Sequence, residues 1–592
     1  MGKIYILNII PAYFQFFFLP GFIYLFYLRF KTNFFSFLAI SFCISLVVNY
    51  ILIFILNLIG FYSVFSLWLF LLLEIIFIFQ YKEQIGIYLS EIKKISLTEY
   101  SIIKKETFYF FAAFFALGLI AEPLYSIFKD NREGFFQVFT LGDVLEYYSK
   151  WAREWYGEVI PKTTFFRPQL WSADISMIYK FFGNEYFEPF AKQIFNFIFI
   201  YLIISTIGIC FTNKNCILFF GSILGIYYSL TGTVTQGNSG YMEIPLSLSL
   251  IFFLNFAYEV KSRNVTIKQI VYILPIIISC IFLTKELGWI FSFAILLYFY
   301  FFDKLNYYQS KISIKNFLKI CFITGGIFLP FYIYTFINYE IFNIDNPVFK
   351  LLFFDANTHI GAGHGSRYLN LDTRIIDGIK KTPEYLVLPL LINLLFSFSK
   401  DNLIKYVISP FILIYYLVWL VLMSNEFRYL FPIIVITWCS FFIIAYQIIR
   451  KTKNIIFLRK LFLPLLIIMF FSIILTNKKI PDKNLFLKKV DQKKLSSMNP
   501  DEKMIISNFL NIYDKVESKD KIFTNIISLR TLSFSKLKNT KVIYFENLID
   551  DQNKDFSFIV VKGDCKKFKK YNLNELYFNK DIGCILSYQK IK

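Results

Sequence analysis

A chain of 592 residues that is 57% hydrophobic, with a mean hydropathy of +0.55, excludes an ordinary water-soluble enzyme. Its apolar residues come in blocks such as Phe34 to Leu58 and Phe61 to Phe79, longer than a globular core uses. The net charge of +21 would point to nucleic acid in a soluble protein. Here the Lys and Arg lie between apolar blocks and in the C-terminal tail, so topology and anionic lipid headgroups account for them and no nucleic-acid partner is expected.

A membrane span takes roughly 20 mostly apolar residues. No water in the hydrocarbon satisfies a bare backbone, so each block must be helical. About 14 candidate spans follow in chain order: 5–28, 34–58, 62–81, 107–128, 191–211, 216–230, 242–258, 268–283, 287–302, 318–337, 384–398, 404–423, 428–449 and 457–476. The short blocks 216–230, 287–302 and 384–398 fit broken or tilted helices. Met1 to Tyr27 runs into a retained span with no cleavage site. The fold class expected is a polytopic α-helical membrane protein with a small C-terminal α/β soluble domain.

Orientation follows from the cations in the short loops. Arg29/Lys31, Lys93/Lys94/Lys104/Lys105, Lys261/Arg263/Lys268, Lys304/Lys311/Lys315 and Arg450/Lys451/Lys453/Arg459/Lys460 share one side, read as cytoplasmic. The opposite side receives 129–190, 231–241, 338–383, 424–427 and the tail 477–592. Lys478, Lys479, Lys483, Lys488 and Lys489 run against this, but long translocated domains largely escape the charge rule. Three regions result: 1–106, extra spans and a basic cytoplasmic loop; 107–476, the main transmembrane domain with outer loops 129–190 and 338–383; and 477–592. The heavy use of Phe, Ile, Lys and Asn suits an AT-rich bacterial genome, so the expected location is a bacterial inner membrane.

In the tail, Asn499-Pro500-Asp501-Glu502 opens a helix with a capping Asn, Pro at the first position and acids in the first turn. Lys541–Phe545, Phe556–Val561 and Gly583–Tyr588 read as strands. Of eight cysteines, Cys43, Cys210, Cys216, Cys280, Cys321 and Cys439 sit in or beside apolar blocks as small hydrophobes. Cys565 and Cys584 can form a disulfide if the tail is outside; closing that loop is worth about 3 kcal/mol in the chain-entropy model.

The segment 129–190 carries the richest chemistry. Leu141-Gly142-Asp143 leads into Tyr147, Tyr148, Trp151 and Trp155. Leu145, Tyr148, Ala152 and Trp155 recur at helical spacing, which predicts an amphipathic interfacial helix with Asp143 at its start. An acid there also serves as a cap. Gly157 to Pro161 makes a turn, and Phe166-Arg167-Pro168-Gln169-Leu170-Trp171 follows. Three later segments stand out: Gly240-Tyr241-Met242-Glu243-Ile244-Pro245, Thr284-Lys285-Glu286-Leu287-Gly288, and Glu426-Phe427-Arg428-Tyr429-Leu430-Phe431-Pro432. Ionisable groups at or in spans are costly and functional by default. Alternatively, Lys285 and Glu286 neutralise one another at a hairpin, and Arg428 pairs with Glu426.

These four segments, in this order and with a soluble C-terminal domain, resemble the GT-C membrane glycosyltransferases, in the branch of the protein O-mannosyltransferases and the lipid A aminoarabinose transferase. Coverage starts near 107; the first three spans have no counterpart. The family's first outer loop commonly ends in Tyr-Pro-Pro-Leu-Trp, where this chain has Gln169 in place of the second Pro.

The resemblance implies a sugar donor on a polyprenyl phosphate and an acceptor hydroxyl on a lipid, glycan or protein. Asp143 would be the catalytic base at the periplasmic face, and Arg167, Arg428 and Lys162 would bind the donor phosphate. Glu243, Lys285, Glu286, Tyr147 and Trp171 would contact substrate or support the site. His359, His364 and Arg367, in the glycine-rich outer loop, belong to the same group. No cofactor is implied with certainty. A divalent metal is left open, because the Asp-x-Asp motif of metal-dependent relatives is missing and two His five apart make a poor ligand set. Two other readings compete. An outer-face polysaccharide polymerase or ligase would not place its acid directly after a span. A transporter or flippase of lipid-linked glycans would show internal pseudo-symmetry and broken helices in both halves.

Overall fold

A computed structural model describes residues 8–105, 148–161, 168–183, 188–213, parts of 221–227, 242–262, 265–285, 287–302, 313–338, 371–399, 401–420 without 402, and 427–451. In the tail it describes 500–513, 521–524, 541–544, 558–562, 574–579 and 583–587. The spans expected at 107–128 and 457–476, and most of 216–230, lie outside the described residues. The chain divides into two compact units, a large helical one ending at Leu466 and a smaller one that includes Ile467–Lys592.

The helical unit begins with α1 (Ile9–Phe17) and α2 (Leu19–Tyr27), bent by 41° at their junction. Pro20 causes the break, since it lacks an N–H for the helix ladder and is favoured in a first turn. α3 (Phe34–Leu58) is started by Asn33, whose side chain accepts from the backbone N–H of Ser36. α2 lies so close to α3 that a Cβ on Gly21 would come within 1.9 Å of the Ser41 carbonyl oxygen; the Gly21 N–H instead donates to Ser45 Oγ at 2.9 Å.

α4 (Val64–Gln80) turns by 80° into α5. α5 (Lys82–Lys105) is the basic stretch expected as a cytoplasmic loop, and it is helical throughout. Ile85, Tyr88 and Ile92 are buried along one face, at the spacing of a helix stripe. Tyr88 donates to the Phe30 carbonyl, and Ser96 Oγ accepts from the Phe34 N–H at 2.8 Å.

Next come α6 (Lys150–Tyr156), α7 (Leu170–Phe182), α8 (Glu188–Asn213), α9 (Glu243–Ser262) and α10 (Ile267–Thr284). α7 ends at Gly183, whose φ of 66° suits a residue without a Cβ. Every residue of α7 is buried, as is α9 from Glu243 to Val260. These helices pack with α3 to form the centre of the unit. α11 (Gly288–Phe302), α12 (Ile314–Asn338), α13 (Leu371–Lys381), α14 (Glu384–Asn393), α15 (Ser409–Val418) and α16 (Phe431–Lys451) complete the described helices of this unit.

Among the described residues, five helices are long and apolar enough to cross a membrane, or up to seven if each bent pair is one span. The five are α3, α8, α9, α10 and α12. The protein is thus a helical membrane protein by the length and composition of its helices. The blocks at 384–398, 404–423 and 428–449 contain shorter apolar helices.

In the smaller unit, β1 (Lys521–Thr524), β2 (Lys541–Tyr544), β3 (Phe558–Lys562), β4 (Asn574–Asn579) and β5 (Gly583–Ser587) form one sheet, ordered β2-β1-β3-β5-β4. β1 is parallel to β2 and β3, whereas β5 runs antiparallel to β3 and β4. α17 (Pro500–Tyr513) covers β3 and β5, burying Ile505, Ile506 and Phe509 with Val560, Val561, Ile585 and Leu586. Cys584 is disulfide-bonded; its expected partner Cys565 lies outside the described residues.

Candidate functional site

The described parts of the four sequence segments meet around the end of α10. Thr284 is its last residue, and Lys285 takes an extended conformation, with φ of −158° and ψ of 156°. The helix therefore stops and the Lys285 side chain leaves its axis. Gly288 then starts α11 hard against the last turn of α10, where a Cβ would stand 2.0 Å from the Ile281 carbonyl oxygen. This explains the glycine of the Lys-Glu-Leu-Gly turn: the hairpin closes only without a side chain.

Lys285 Nζ pairs with Glu243 Oε1 at 2.5 Å, with side chains 9% and 0% exposed. Lys285 thus has a long-range partner across 42 positions; Glu286, expected to neutralise it locally, lies outside the described residues. Glu243 is in the first turn of α9, where the positive end of the helix dipole favours a carboxylate. Lys285 Nζ also stands 4.8 Å from the centroid of the Tyr429 ring, a cation–π distance. Tyr429 belongs to the Arg-Tyr-Leu segment, a turn at Phe427–Leu430 that leads into α16, and its carbonyl accepts from the Tyr415 hydroxyl of α15 at 2.7 Å. One cation thus sits between a carboxylate from the second segment and a ring from the fourth.

The first segment reaches the same place through Trp171. Its indole Nε1 donates to Thr284 Oγ1 at 3.2 Å, and its ring packs among Phe16, Phe42 and Phe195. Trp171 is 1% exposed, so it fixes α7 against α10 from within. Gln169, the departure from the resembled motif, accepts from Trp155 Nε1 at 3.2 Å. That bond ties α6 to α7. Trp151, Ala152 and Trp155 are fully buried, and Trp155 lies against Phe331 at 6.2 Å between ring centroids. The stripe read as an interfacial face is a packing face, because α7 and α12 cover it.

Asp143, Tyr147, Lys162, Arg167, His359, His364 and Arg367 lie outside the described residues. Arg428 falls within the turn before α16. Among the described residues no group of three or more His, Cys, Asp or Glu could hold a metal ion.

One acid that the sequence reading passed over is Asp174, one turn after Trp171 on α7. It is fully buried, and neither carboxylate oxygen has a hydrogen-bond partner. Burial drives its pKa well above the ordinary carboxylate value, with the Cys280 thiol adding to the rise. The available signal was its place in an apolar run, Leu170 to Phe182, where a charge is expensive.

No family model, curated protein or solved structure matches the chain.

Proposed function

We propose that the protein is an inverting glycosyltransferase that moves a sugar from a polyprenyl-phosphate donor to a hydroxyl acceptor on a lipid, glycan or protein, at the periplasmic face of a bacterial inner membrane. The observation that carries this reading is the meeting, around Lys285, of the segments that resemble the GT-C enzymes: Glu243, Tyr429 and the Trp171–Thr284 bond.

In this reaction the acceptor hydroxyl attacks the anomeric carbon, the bond from that carbon to the lipid phosphate breaks, and the phosphate leaves with the electron pair. Asp143 takes the hydroxyl proton. The sequence puts it at an expected helix start, where the dipole weakens a carboxylate as a base, so positioning must supply much of the rate. Arg167, Lys162 and Arg428 offset the charge on the departing phosphate. Lys285, fixed by Glu243 and Tyr429, holds the frame on which that phosphate is received.

The test is Asp143→Asn, nearly isosteric and no longer basic. Transfer should fall by about 10²–10⁴-fold, read as loss of the glycosylated product in cells that contain normal amounts of the protein. An unchanged glycan profile overturns the assignment. Loss of lipid-linked glycan translocation, with transfer intact, would favour a flippase instead.

A further inference from the structure

We propose that Asp174 is a proton-binding site at the centre of the helical unit, its carboxyl carrying a proton at neutral pH. The inference stands apart from the glycosyl transfer proposed above and does not depend on it.

A buried polar group without a partner is penalised, and an isolated ionised carboxylate far more so. Asp174 is wholly buried with both oxygens unpartnered, on a helix of which no residue is exposed. Among the described residues, those that act on it electrostatically are Tyr50 of α3, Tyr62 just before α4 and Cys280 of α10, and none of these is a cation. The Tyr50 hydroxyl is itself buried without a hydrogen bond, whereas the Tyr62 hydroxyl is shared with Ser176 at 2.8 Å. Cys43 of α3 lies beside Cys280. Lys180, the one cation on α7, is engaged with Glu158 at 2.9 Å. A proton is the ligand that this enclosure accepts, because it removes the charge without demanding further oxygens.

A run of polar groups passes close to Asp174 without bonding to it. Trp171 Nε1 reaches Thr284 Oγ1 at 3.2 Å, Thr284 Oγ1 lies 3.3 Å from Ser249 Oγ, and Ser249 Oγ lies 3.5 Å from Cys280 Sγ. Cys280 is next to Asp174, and Thr284 is joined in the chain to Lys285. An acid kept at this cost within a membrane protein reads as functional.

The experiment uses the full chain in nanodiscs and reads the carbonyl stretch of protonated carboxyl groups by infrared difference spectroscopy. The wild-type minus Asp174→Asn spectrum at neutral pH should contain one protonated carboxyl. Its absence overturns the proposal. Should Asp174→Asn fail to fold, Asp174→Ser takes its place in the difference spectrum, because Glu74 also has a buried oxygen without a hydrogen bond and contributes to the wild-type carboxyl region. A wild-type spectrum with no protonated carboxyl at pH 7, or a band removed by adding Na⁺ at constant pH, overturns the site as one for protons, the latter in favour of a metal-cation site.

Discussion

Lys285 and Glu243 form a pair whose separate removal and joint removal have different consequences. Taking away one partner leaves the other charge buried, so Lys285→Met should cost about 3–5 kcal/mol. Glu243→Leu together with Lys285→Met removes both charges and should recover most of that stability, as measured by thermal unfolding in detergent. Transfer activity should stay lost in the double variant, which separates a functional cation from a merely stabilising one. Asp174 makes a pH prediction. The folded carboxyl holds a proton that the unfolded chain releases above about pH 4. Its contribution is therefore complete below that pH and is lost as the pH rises toward the folded-state pKa. Asp174→Asn lacks the term, so the stability of wild type relative to the variant should decline on going from pH 4 upward. A flat difference across that range would contradict a raised pKa. Both residues show where reading a sequence stops. Glu243 and Lys285 are recognisable as ionisable groups beside spans, but 42 positions separate them, and no local spacing rule joins residues so far apart. Asp174 drew no notice because its segment was read as a solvated outer loop, where an acid costs nothing.

Helix packing turns on glycines that differ in what surrounds them. A methyl at Gly21 would collide with the Ser41 carbonyl, and backbone cannot swing aside, so Gly21→Ala should destabilise by about 1–3 kcal/mol. Gly86, on α5, has nothing within 4 Å of the place a methyl would occupy. Gly86→Ala should therefore stabilise by up to about 1 kcal/mol through helix propensity alone. Opposite signs in unfolding midpoints check the pair. At this scale the sequence was informative wherever apolar runs were long: α3, α8, α9, α10 and α12 all occupy blocks marked by hydropathy. It was less so for α5, where Ile85, Tyr88 and Ile92 had helical spacing but the lysines between them suggested a loop. The aromatic stripe of α6 was visible too, yet periodicity says only that one face is apolar. Whether lipid or protein covers that face depends on α7 and α12, elements outside the stripe's own stretch of chain.

Across the whole molecule, the cation pattern predicts the α5 stretch on the cytoplasmic side, with 129–190 and the tail opposite. Reporter fusions should read outside for residues in 129–190 and after 477, and inside for residues near Lys93. A tail that reports inside would reverse the orientation and remove the periplasmic site. The disulfide at Cys584 fits the expected side, since such bonds persist in oxidising compartments. The sharp corner between α4 and α5 has a mechanical meaning. A corner of 80° keeps α4 and α5 from both following the bilayer normal, and α5 is clamped to the start of α3 by Tyr88, Ser96 and the Lys31–Glu91 contact at 2.8 Å. Where α4 crosses the membrane, such a bracket holds the N-terminal helices at a fixed depth. In a thinner or thicker membrane the misfit must then be absorbed by other helices, and α12, which carries Pro330 within its length, has a built-in place to bend.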